Sequence, residues 1–413
     1  MLNQFKKSSI FKYKTLLLIS LISIIQAQEI SKNKYSLVLA PNTSNQWWST
    51  YNQEGVKPSE FKFTYQGNYE NKKINFHINL SAIDDGLYFG ESFFKVSISK
   101  NKFFKAGKYY RDFSTYLDDD LSSGSMLISH NAEPMPKIGF FSSHSFKNNI
   151  KINFGIAHAS FIKNEIYNKA PMLHEKFIYL NYLNNNYELQ FGFVHVAMWG
   201  GSTEQLGALP SSFKDFLKVI VSADGPLLLG EPHANALGNH LGIWDFYYKK
   251  NIDERSIKLY YQHLFEDTSG LRFANGIDGL WGLQLSNDIK DRHILFEYIN
   301  TINQDNNPPY VEEAYYNHYQ YTDGWSYKKY TLGNPFISHI EPNPSEVVHL
   351  GMKGKFSSTF SYSAKLSKLI SKNDFIKYKL SLKRTINNKS ALQFSFINNK
   401  KSNGLEVSFL GII

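Results

Sequence analysis

Residues 360–367 read FSYSAKLS and residues 376–383 read IKYKLSLK. Phe360, Tyr362, Ala364 and Leu366 alternate with Ser361, Ser363, Lys365 and Ser367, and Ile376, Tyr378, Leu380 and Leu382 alternate with Lys377, Lys379, Ser381 and Lys383. Successive side chains on a strand point to opposite faces, so each run has one apolar and one polar face. An Asn387-Asn388-Lys389 turn leads to Leu392, Phe394 and Phe396. A second turn, Asn398 to Ser402, leads to Leu405, Val407 and Phe409, set against Glu406, Ser408 and Leu410. Short Asn-rich turns between alternating runs predict hairpins.

The same pattern recurs earlier. Ile74, Phe76, Ile78 and Leu80 alternate with Asn75, His77, Asn79 and Ser81. Similar runs begin at Ile150, at Tyr187 after Asn184-Asn185-Asn186, and at Ile257. Alternating segments of about ten residues, separated by turns, are the signature of a transmembrane β-barrel. No later segment has the ~18 uninterrupted apolar residues of a membrane-spanning helix, and only helices and closed barrels satisfy every backbone group in lipid. The reading is an all-β chain forming a transmembrane antiparallel up-and-down β-barrel. Its length allows roughly 16 to 18 strands.

Residues 1–27 read as an export leader. Lys6, Lys7, Lys12 and Lys14 precede an apolar run from Thr15 to Ile25, and Ile25-Gln26-Ala27 is an acceptable cleavage site. Residues 28–57 alternate poorly and are expected to form a short periplasmic or plug segment, with the barrel over 58–413. The formal charge is +9, but removing the four leader lysines leaves 41 basic against 36 acidic residues, spread along the chain. That balance gives no reason to expect nucleic acid as a partner. The absence of cysteine removes disulfides, thiolate metal sites and thiol nucleophiles. The 32 Phe, 27 Tyr and 6 Trp suit a lipid-facing belt with interfacial girdles. The chain ends at Ile413, without a terminal aromatic residue.

The middle of the chain departs from plain alternation. Eight of the 13 histidines lie between His130 and His263, with Trp199, Trp244 and Trp281 among them or close by. Six stretches in this region, in order, resemble the Wzi capsule-assembly family of outer-membrane proteins. They are SHNAEPMPKIG (129–139), LHEKF (173–177), HVAMWGG (195–201), ALGNHLGIWDF (236–246), YYQHLFEDTSGL (260–271) and DGLWGL (278–283). Weaker likeness extends over most of the chain, including Trp47-Trp48 and Gly324-Trp325-Ser326-Tyr327. The resemblance implies a barrel of about 18 strands acting as a lectin, which holds capsular or other surface polysaccharide at the cell exterior. Two departures stand out: Phe177 occupies a position where the family more often has Trp, and the N-terminal region is short for the helical element of enterobacterial members.

Sugar binding needs flat aromatic faces and fixed planar polar groups. Trp199, Asn239, His240, Trp244, Asp245, His263, Glu266, Asp267 and Trp281 supply that mix and are the expected glycan-binding residues. The competing reading makes the Trp residues girdle anchors and the His and acidic residues a lumen network. His195, His233, His240 and His263 are potential metal ligands, but no HExxH or comparable spacing appears, so neither metal nor cofactor is expected. Glu266 and Asp267 are adjacent, and on a strand they point to opposite faces, which rules them out as a glycosidase pair there. In a loop that bar falls away, and Glu266 with Asp245 stays open as a pair. No GxSxG, P-loop or GxGxxG is present. The expected function is a non-enzymatic polysaccharide-binding barrel in contact with outer-membrane lipid and lipopolysaccharide. The rival is a porin-like channel for small solutes.

Overall fold

The structure is a computed structural model that describes residues 33–41, 46–147, 149–226, 234–266, 268–304, 315–371, 374–399 and 402–412. The expected leader, His233 and Asp267 lie outside the described residues. Eighteen antiparallel strands form the wall. In chain order they are β1 Lys34–Leu39, β2 Phe61–Glu70, β3 Ile74–Ile83, β4 Ser92–Ser99, β5 Lys102–Tyr109, β6 Met135–Ser145, β7 Ile150–Ser160, β8 Met172–Leu183 and β9 Tyr187–Trp199. The second half comprises β10 Asn239–Ile252, β11 Arg255–Phe265, β12 Gly279–Asn287, β13 Arg292–Asn300, β14 Glu346–Lys355, β15 Phe360–Leu369, β16 Lys377–Asn387, β17 Ser390–Asn399 and β18 Ser402–Ile412. The barrel closes on β1, whose Lys34 lies opposite Gln66 of β2 on one side and Ile412 of β18 on the other.

Turns of two to four residues join the strands at the end that holds Lys34 and Ile412. Long loops, notably 110–134, 200–238 and 301–345, gather at the opposite end. Short turns face the periplasm and long loops the exterior in barrels of this type. The alternation read from the sequence is realised. Phe154, Ile178, Leu180, Phe191, Leu283, Phe296, Leu380 and Phe394 are exposed on the outer wall, while Asn79, Asn181, Gln284, Ser367, Ser381 and Ser395 are buried inside.

One expectation needs correction. Part of 28–57 is neither periplasmic nor separate, because Lys34–Leu39 is the closing wall strand. At six residues it is too short to display a period. Residues 46–56 instead fold inward at the exterior end. There a short helix α1, Trp47–Thr50, buries Trp48, whose indole N–H donates to the Lys377 carbonyl at 3.2 Å.

The lumen is filled. Loop 110–134 descends into it, and its Phe113, Leu121, Met126 and Leu127 pack on Val194, Leu241, Leu295 and Val347 of the wall. Residues 315–337 lie above, where Trp325 is fully buried and donates to the Leu127 carbonyl at 2.7 Å. Two carboxylates lock the loop. Asp245 accepts from Ser114 at 2.5 Å and Tyr179 at 2.6 Å, and also from Tyr116. Glu297 accepts from Ser122 at 2.6 Å, from the Ser123 backbone at 2.7 Å and from Tyr260. Each lock uses a glycine on the strand between tyrosine and acid. Tyr179 is registered opposite Gly192 and Gly192 opposite Asp245; Tyr260 is opposite Gly282 and Gly282 opposite Glu297. A Cβ at either glycine would overlap the tyrosine ring lying across it.

Candidate functional site

Of the nine residues expected to bind glycan, the eight that are described do not form one site. Asp245 is fully buried in the lumen beneath loop 110–134, out of reach of any substrate. It therefore cannot join Glu266 as a hydrolytic pair. Trp244, His263 and Trp281 point outward. The Trp281 ring stacks on Tyr261 with centroids 3.8 Å apart, and its N–H donates to the Ile277 carbonyl at 3.1 Å. The Trp244 N–H donates to the Leu271 carbonyl at 3.1 Å, and His263 stacks on Phe273 at 4.1 Å. The two Trp rings, with their N–H groups tied to loop backbone, make part of an exterior aromatic girdle, while His263 is fully buried beneath Phe273. Trp199 and His240, on the outward face, and Asn239, on the lumen face, lie at the exterior ends of β9 and β10, all buried. Glu266 follows β11 directly. Among the described residues, no three metal-ligating side chains converge.

The exterior loops assemble a different set. Lys57, Tyr88, Glu133, Asn164, Asp323 and the segment Ser326–Tyr330 line a cleft of about 480 Å³. Its lip is a hairpin in which Ser326 and Tyr327 pair with Thr331 and Tyr330. The two turn residues, Lys328 and Lys329, hold φ of 50° and 72°. A two-residue turn of this hand needs positive φ at both positions, which normally selects Asn or Gly. Strain of about 1 kcal/mol or more at such residues persists only where the surroundings impose it.

Glu133 anchors this lip, meeting Lys328 at 2.7 Å and Lys108 at 3.0 Å. Asn164 donates to Asp323 at 2.8 Å across the cleft. Burial, helped by Glu133, pushes the Tyr327 hydroxyl up to about 12, so it stays a neutral donor. The half-buried Tyr88 and Tyr330 supply ring faces, and the exposed Lys328 and Lys329 supply positive charge. A second cleft of about 190 Å³ lies between loop 200–238 and Tyr319–Tyr321, and Trp199 is the only one of the nine expected residues that lines it. The sequence carried two signals for the first cleft, the Gly324-Trp325-Ser326-Tyr327 stretch and the 129–139 stretch that holds Glu133. Nothing local marked Lys57, Tyr88 or Lys329.

Fold and site define a class: an outer-membrane-type β-barrel with a filled lumen and a cleft built from exterior loops. The chain belongs to the family of capsule assembly proteins Wzi, whose family model matches residues 49–358. In fold it is similar to Wzi of Escherichia coli, an outer membrane protein involved in group 1 capsule assembly and a carbohydrate-binding β-barrel. That match has a TM-score of 0.63 at 13% identity, covering 96% of this chain and 87% of the other. A triple-mutant porin of Rhodopseudomonas blastica aligns over 92% of this chain and 98% of its own at 10% identity, with a TM-score of 0.38. Among curated proteins none matches the sequence.

Proposed function

We propose that this chain is a surface lectin that retains an exported polysaccharide, capsular or of a related kind, on the outside of the cell. The observation that carries the reading is the exterior cleft of Tyr88, Tyr330, Lys57, Lys328 and Lys329 above a lumen packed with protein. Half-buried tyrosine faces take sugar rings by C–H stacking. Lysines beside them, two held at an unfavourable φ, favour a glycan bearing carboxylates or other acidic groups. A solute channel needs an open lumen, and loop 110–134 occupies that space. The reading involves binding without turnover: of the three carboxylates that line the cleft, Glu133 is engaged with two lysines and Asp323 with Asn164, which leaves Glu165 without a second uncommitted carboxylate to act with it as an acid and base pair.

The test is polysaccharide partition in a strain lacking the gene. Total glycan is expected to stay constant while the cell-bound fraction moves into the medium. Complementation with Tyr88→Ala/Tyr330→Ala or Lys328→Ala/Lys329→Ala is expected to leave glycan in the medium, although the barrel still assembles. Unchanged partition on deletion would sink the lectin reading and make bilayer conductance of the purified barrel the next measurement.

A further inference from the structure

The outer wall carries a polar patch where lipid should lie. His158, His174, His195 and His240, with Lys176, project from the outward face at the exterior ends of β7 to β10. His158 stands opposite His174, Lys176 opposite His195, and Ala197 opposite His240. Ionisable groups on a lipid-facing wall are costly and mark function. Here they are covered by a helix, α2, Phe213–Ile220, which follows a Ser212/Asp215 capping box. Phe216 meets Trp199, His158 and His174 with ring centroids 5.4, 5.3 and 5.5 Å away. Lys176 donates to the Ile220 carbonyl at the helix end. Behind it His195 and His240 bond each other at 2.9 Å, and Ser222 approaches His195 at 3.2 Å.

The far side of α2 is apolar too. Phe213, Leu217 and Val221 are 75%, 48% and 71% exposed, on one line of the helix. Lys214 and Lys218 form the adjacent line. An apolar ridge beside a cationic ridge is the design of a helix lying in a membrane interface. The ridge continues the lipid belt through the exposed Ile138 and Ile156. Between helix and wall runs a groove of about 620 Å³, walled by Phe104, Phe140, Ile156 and Phe213 with His158 and His174 on its floor. His174 is fully buried, and neither of its ring nitrogens has a partner among the described residues; nor does His158 Nδ1. Open polar atoms on the floor of a groove are the ones that a ligand entering it can satisfy.

We propose that this groove holds one acyl chain of an outer-leaflet lipopolysaccharide. The chain lies along Phe104, Phe140 and Ile156, its polar linkage meets His158 and His174, and the headgroup phosphates meet Lys214 and Lys218. The exterior position of the groove selects the outer leaflet, and two adjacent lysines select a phosphorylated headgroup over a zwitterionic one. The inference rests on the barrel's place in the outer membrane and is independent of the glycan reading.

The full chain is purified in mild detergent, and native mass spectrometry counts lipopolysaccharide retained per chain, with phosphatidylglycerol as competitor. One lipopolysaccharide per chain is expected. Occupancy should fall roughly 30-fold in Lys214→Ala/Lys218→Ala, from about one salt-sensitive phosphate contact per lysine, and should also be lost in Phe213→Glu. Phe213 is an exposed side chain, so heat-modifiable gel migration should report an intact barrel. No retained lipopolysaccharide in the parent protein, equal retention of phosphatidylglycerol, or undiminished occupancy in both variants would each overturn the proposal. Glycan partition in cells carrying the same variants separates the two readings: loss of lipopolysaccharide with cell-bound glycan unchanged supports the groove as an independent lipid site.

Discussion

Two sets of polar side chains withdrawn from water sit on opposite faces of the barrel wall, and they differ in completeness. Inside, Asp245 and Glu297 each accept three hydrogen bonds, from a tyrosine across a glycine and from loop 110–134. Outside, His158 and His174 lie under α2 with ring nitrogens left open. A satisfied buried network is a lock, since every bond it makes is internal and rigid. An unsatisfied one is a socket, because an open donor or acceptor in a dry place gains most from a partner brought to it. Burial alone does not distinguish them. The hydrogen-bond ledger does.

The comparison can be broken most directly from the inside. Asp245→Ala or Glu297→Ala leaves two hydroxyls and a third donor unpaired in the lumen, and each should cost about 3–5 kcal/mol. With both replaced, loop 110–134 should come loose and the filled barrel should conduct in planar bilayers. A double variant that stays closed would show that apolar packing, not the carboxylates, seals the lumen. A smaller effect is expected from Gly282→Val, whose side chain must displace the Tyr260 ring from Glu297; about 1–3 kcal/mol should be lost in urea unfolding.

The exterior loops give a pH-dependent test. Burial pushes His318 down to about 4 from its ordinary 6.5. The unfolded chain therefore takes up the proton first, so stability of segment 315–337 is full above pH 6.5 and falls as the pH drops toward 4. With His318 only half-buried, the loss at pH 4 should be roughly 1–2 kcal/mol. Hydrogen exchange of this segment should show it, and His318→Gln should flatten it. The smallest effect is expected on the outer face. His174→Leu removes a polar group that has no internal partner, so stability of the lipid-free protein should change by under about 1 kcal/mol. A loss comparable to that of Asp245→Ala would mean that His174 is a lock as well.

Periodicity made much of the fold legible. The runs at 360–369 and 377–387 form β15 and β16 because one face meets lipid and the other the lumen, and a period of two records that directly. The strand Lys34–Leu39 was missed because six residues are too few to show a period. The site was far less legible. Trp244, Asp245 and His263 are nearly consecutive along the chain or its hairpin partner, yet Trp244 and His263 point outward, His263 under Phe273, while Asp245 points into the lumen. Neighbours on a strand diverge, so clustering in sequence is no guide to clustering in space.

The sequence by itself determined the class of fold and the family and bounded the strand count to roughly 16 to 18, because these follow from alternation, length and ordered motifs that are local properties of the chain. Only the tertiary structure decided what closes the lumen, which face each histidine occupies, and that Lys57, Tyr88, Glu133, Asp323 and Lys329 share one cleft. Those residues are joined across four loops, and their positions are set by the closure of the barrel, which has no local record in the sequence.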